Sequence, residues 1–140
     1  MTDEQRRSVA QEFLLRVDTG GDVLELFAED ALFQFPKFGM VRGHADIGRF
    51  FAGLGSVVAS IQHDLAHANF IIQEELVVVE GTSDGTTVDG VEWRAGVTHA
   101  GPWCDVFDIR DHKIQRLFVY LDPDYASADT ARYPWLKSRG

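Results

Sequence analysis

The clearest pattern along the chain is an alternation over residues 103–122, WCDVFDIRDHKIQRLFVYLD. Side chains of an extended strand point alternately to two faces. Trp103, Asp105, Phe107 and Ile109 therefore share one face of a first strand, and Leu117, Val119 and Leu121 share one face of a second. Asp111-His112 between them predicts a tight turn. The two inward sets are apolar except for Asp105.

Upstream the period is helical. Val9, Phe13 and Val17 recur at spacing four, with Ala10 and Leu14 beside them, which predicts a helix over residues 3–18. Thr2 or Asp3 caps its start and Gly20-Gly21 ends it. Asp22 begins a short second helix over 22–28, with Val23, Leu26 and Phe27 inward. Residues 31–35 read as a short strand stopped by Pro36, residues 36–43 as a loop, and 44–54 as a third helix burying Ile47, Phe50 and Phe51.

After Gly55 alternation returns. Residues 61–71 read as one long strand, 76–82 as another, 83–90 as a loop, and 91–99 as a third strand carrying Trp93, Ala95, Val97 and His99 on one face. Residues 123–140 form a polar tail ending in the apolar cluster Tyr133–Leu136. Helices followed by consecutive antiparallel strands predict one α+β domain over 1–140. Three N-terminal helices would pack in a curved mixed or antiparallel sheet, leaving a pocket at the open mouth.

The chain has 140 residues, enough for one proper core, and an ordinary 45% hydrophobic content. A net charge of −9 argues against nucleic acid or an anionic membrane as the main partner. The lone Cys104 excludes a disulfide framework and a cysteine-rich metal site. The N-terminus carries no apolar signal core and no run is long enough to span a bilayer, so the default location is the cytoplasm.

Asp105 is the leading chemical candidate. An unpaired charge among Trp103, Phe107, Val119 and Leu121 is too costly to keep, so the carboxyl must be protonated, hydrogen-bonded or facing a wet cavity. His99, six residues earlier, would fall opposite or diagonal to it on an adjacent strand and pair with it as a base. His63 shares a face with Ile61 and Leu65 and is a second candidate for hydrogen bonding in the pocket. His63 and His67 would stand about 13 Å apart on one strand, too far to share a metal. No metal is expected, and no cofactor. The pocket is expected to be lined by Trp103, Phe107, Val119, Leu121 and Trp93, with Phe13 and Phe51 closing its narrow end. Phe118 and Tyr120 have outward parity and predict a homodimer through the outer sheet face.

The order of helix, GGDVLELFAEDALFQFP, GHADIGRFF, VVVEGT and the final hairpin resembles the nuclear transport factor 2-like superfamily, and within it the SnoaL-like polyketide cyclases and their bacterial relatives. The resemblance implies a cone-shaped α+β barrel with a deep pocket, commonly dimeric. Asp105 is similar in position to the oxyanion-hole acid of ketosteroid isomerases. Phe35 and Leu14 stand where those enzymes have a base and a tyrosine, which argues against steroid isomerisation. The resemblance and the residues together imply acid/base chemistry by Asp105, with His99 or His63, on an oxygenated apolar small molecule: cyclisation, isomerisation or dehydration. The other reading is a non-catalytic binder, or a dimeric interaction module, of the same fold.

Overall fold

The computed structural model describes residues 1–138. Helix α1 spans Asp3–Thr19. Thr2 caps it: its side chain accepts from the Gln5 backbone while Gln5 reaches back to the Thr2 N–H. Gly20, at φ 73°, ends it. Helix α2 spans His44–Leu54 and buries Ile47 and Phe50.

The expected helix over 22–28 does not form. Asp22 Oδ1 accepts from the Leu24 N–H, one 3₁₀ turn follows at Leu24–Leu26, and the chain then enters strand β1, Phe27–Phe35. A segment this short gains little from helix formation. Strand pairing of Phe27 with Ile114 buries the same apolar residue instead. The N-terminal helices thus number two, not three. The expected loop 36–43 contains strand β2, Gly39–Arg42, which pairs antiparallel with β1.

The remaining strands are β3 Val58–His63, β4 Asn69–Gln73, β5 Leu76–Thr87, β6 Glu92–Arg94, β7 Pro102–Arg110 and β8 Lys113–Leu121. The sheet runs β2-β1-β8-β7-β5-β3, with β4 and β6 also on β5. Strand β5 is the spine. On one edge it pairs with β4 along Leu76–Glu80 and with β3 along Ser83–Thr87. On the other it pairs with β7 along Leu76–Thr82 and with β6 along Asp84–Thr86. This sharing explains two corrections. Residues 61–71 are not one strand: a 3₁₀ turn at Leu65–His67 carries the chain between β3 and β4. Residues 91–99 are not one strand either, because the Thr98 side chain binds the Arg94 backbone and folds the chain back.

The β7–β8 hairpin matches its alternation, and Asp111 and His112 both have positive φ, as a two-residue hairpin turn requires. Strand β8 pairs with β1 in parallel, which makes the sheet mixed; the named strands between 58 and 121 pair antiparallel among themselves.

The main core lies between the sheet and the helices. Phe13 of α1 meets Phe27, Phe51 and Phe107 edge-on at 5.7–6.0 Å. Each such ring contributes roughly 1.5–3 kcal/mol on burial. A second, smaller cluster joins Val58, Trp93, Ala100 and Tyr125. Two glycines of β5 admit the indoles. A Cβ on Gly81 would sit 2.9 Å from Trp103 Cζ2, and one on Gly85 would sit 2.4 Å from Trp93 Cη2. Among the described residues no helix is long and apolar enough to cross a membrane.

Candidate active site

Asp105 is 4% exposed, between Val79 of β5 and Val119 of β8. Its side chain opens on a cavity of about 40 Å³ with Trp103, Val119, Leu121, His63, Phe13 and Phe51 in the wall. Among the described residues none hydrogen-bonds the carboxyl. Burial without a partner favours the neutral acid. Desolvation raises the Asp105 pKa from 3.8 to about 7, and the nearby His63 opposes part of the rise. A carboxyl at that value exchanges a proton readily at neutral pH.

His63 arrives from the end of β3, on the same face as Ile61, which also lines the cavity. Its ring stands edge-on to Trp103, centroids 5.1 Å apart. Asp18, in the last turn of α1, holds it from both sides. The His63 backbone N–H donates to Asp18 Oδ2 at 2.9 Å, and Nδ1 lies 2.5 Å from Asp18 Oδ1. Both side chains are largely buried, at 10% and 14% exposure. A carboxylate only accepts, so Nδ1 carries the proton and Nε2 is the nitrogen left for chemistry.

Trp103 supplies a third polar group. Its Nε1 is buried without a hydrogen-bond partner among the described residues, and such orphan donors are rare in folded proteins. Tyr125, just after β8, also lines the cavity. Burial first, then Asp105 and Asp122, push its phenol above the ordinary value, which keeps it a neutral hydroxyl.

The other expected residues fall elsewhere. His99 lies on no strand paired with β7; it lines a separate cleft with Leu121, Tyr133 and Trp135. It is not brought to Asp105, because the chain turns back at Thr98. Phe107 is fully buried against Phe13 in the core behind the cavity. Trp93 donates to Ser83 Oγ and stacks on Tyr125 in the second cluster, not in the cavity wall. Asp18 was not among the expected residues. Its signal is its place four residues after Leu14, where an acid continues the apolar stripe of α1. Among the described residues no three His, Cys, Asp or Glu side chains gather as a metal site.

A family model described as a SnoaL-like domain matches residues 12–117. Solved structures share the fold. An NTF2-like protein from Anabaena variabilis is 24% identical, with a TM-score of 0.71, over 90% of this chain and 97% of that one. A candidate polyketide cyclase from Xanthomonas campestris pv. campestris is 19% identical, with a TM-score of 0.70, over 85% and 91%. TerC, crystallised with polyporic acid, is 20% identical, with a TM-score of 0.70, over 84% and 92%. Among curated proteins none matches the chain.

Proposed function

The chain belongs to the SnoaL-like domain family, and from that premise we propose that it is a cofactor-independent enzyme moving a proton on an oxygenated apolar small molecule. The observation that carries the reading is a buried carboxyl with no hydrogen-bond partner among the described residues on the wall of an apolar cavity, beside a histidine whose Nδ1 is fixed by Asp18. In the simplest step the Asp105 carboxylate takes a proton from carbon next to a carbonyl. The C–H electron pair passes into the carbonyl, giving an enolate oxygen. The Trp103 N–H, otherwise unpaired, donates to that oxygen, and His63 Nε2 donates when the ring is protonated. Asp105 returns the proton to the product. The same enolate serves isomerisation, where the proton returns to a different carbon; aldol-type cyclisation, where it goes to the alkoxide formed at the attacked carbonyl; and dehydration, where it leaves with the expelled β-hydroxyl as water. The polyketide-cyclase and polyporic-acid proteins of the same fold are in keeping with an oxygenated substrate.

Binding without turnover is the second reading. The orphan Trp103 N–H suits either, but a simple binder has no need of a histidine held in one tautomer. The test is exchange of α-protons of a small ketone, cyclopentanone, in heavy water. Catalysed exchange that falls about a hundredfold or more in Asp105→Asn supports the enzyme. No catalysed exchange, with Asp105→Asn weakening ketone binding, replaces it with the binder.

The same proposal includes a homodimer. Ile71, Val78, Val106 and Phe118 are register neighbours across four strands on the outer face, and Tyr120 beside them is 50% exposed. A second copy of this chain would cover that row.

A further inference from the structure

The inner cavity is small. About 40 Å³ holds a few waters or one reacting group, not a whole apolar molecule. A cleft of about 590 Å³ lies beside it, within the ordinary range of small-molecule sites. The two share four wall residues, Phe35, Phe50, Leu54 and Tyr125. These four side chains border both the cleft and the space in front of Asp105.

The cleft is lined mostly by apolar groups, Phe38, Val57 and Pro123 among them. Val57 is 50% exposed there. The charges in the lining balance, Lys37 and Arg49 against Asp124 and Asp129. Arg49 pairs with Asp46 and lies over the Phe38 ring, and Asp129 pairs with Arg132. A ligand seated here meets apolar surface and no net charge, which suits a neutral body. Gly53 of α2 is an exposed residue of the cleft wall, and an added Cβ there would meet nothing within 4 Å, so the space beside the helix backbone is open.

We propose that this cleft is a second subsite, which binds the neutral apolar body of an elongated substrate while its oxygenated end enters the inner cavity. The proposal rests on the acid/base reading of the inner cavity. It names the substrate class: a neutral molecule with a carbonyl or phenolic end and an extended apolar remainder. Phe50 and Tyr125 stand at the junction and move aside as the end passes.

The test is calorimetric titration with 4-n-alkylphenols, from phenol to 4-hexylphenol. Affinity should rise about fourfold with each methylene, the usual gain of roughly 0.8 kcal/mol for burying one. Gly53→Trp should flatten the series by placing an indole in the cleft, and Gly53→Ala should retain the slope. If Gly53→Trp does not fold, Val57→Asp, at an exposed position on the same cleft, should weaken the slope in its place. A flat wild-type series, no binding by any member, or a slope that survives these fillings would overturn the subsite. The acid/base reading is judged separately, by ketone exchange in Asp105→Asn. Loss of the chain-length slope with exchange intact removes only the subsite.

Discussion

Asp18 grips His63 twice, once at the backbone N–H and once at Nδ1. The contact joins the last turn of α1 to the end of β3, so one carboxylate both anchors a helix to the sheet and orients a ring on the cavity wall. Asp18→Asn would let the imidazole flip or change tautomer. Ketone exchange should fall by roughly tenfold to a hundredfold. Asp18→Asn combined with His63→Gln should be no slower than His63→Gln alone, since residues acting as one unit are non-additive. Additive losses would show that Asp18 acts apart from His63.

Burial of Asp105 also makes stability depend on pH. The folded chain holds its proton up to about pH 7, whereas an ordinary Asp releases it near 3.8. Between those values the folded state binds more protons than the unfolded state, so this contribution to stability falls as pH rises and is flat above. Asp105→Asn removes the slope. Relative to wild type, the variant should gain stability from about pH 4 to pH 7, on the order of 4 kcal/mol when complete. Urea unfolding at both ends of the window checks this, and parallel pH profiles would refute it.

Gly81 tests the packing that sets the indole. Gly to Ala inside a strand would ordinarily be mild, but here the new methyl would sit 2.9 Å from Trp103 Cζ2 and 3.3 Å from Cε2. Gly81→Ala should destabilise the chain by about 1–3 kcal/mol and shift the Trp103 fluorescence. Unchanged thermal unfolding and emission would mean the ring has room to spare.

The proposed dimer can be broken at its centre. Val106→Asp or Tyr120→Asp puts an unpaired charge where the second copy would lie, and should turn a dimer into a monomer in sedimentation at micromolar concentration. A wild-type monomer under the same conditions would contradict the assembly.

How much of this was legible in the residues varies with the distance of the contacts involved. The alternation of Trp103, Asp105 and Phe107 correctly set the inward face of β7, because parity is a local property of a strand. It did not separate cavity wall from core, and Phe107 proved to be core. Period two reads the same before and after a break, so the turn between His63 and Asn69 was invisible. The partition of β5 between neighbours on each edge, which ends β6 at Arg94 and carries His99 away from Asp105, depends on pairing far along the chain. The Asp18–His63 pair spans 45 residues, and only the fold brings it together.

The most direct measurement is the carboxyl titration of Asp105, followed by carbon NMR in protein labelled at aspartate. The midpoint should lie near 7, set by burial and held down in part by His63. In His63→Gln the midpoint should therefore move higher still. A midpoint in the ordinary aspartate range, unmoved by His63→Gln, would contradict the claim that Asp105 exchanges the proton in this cavity.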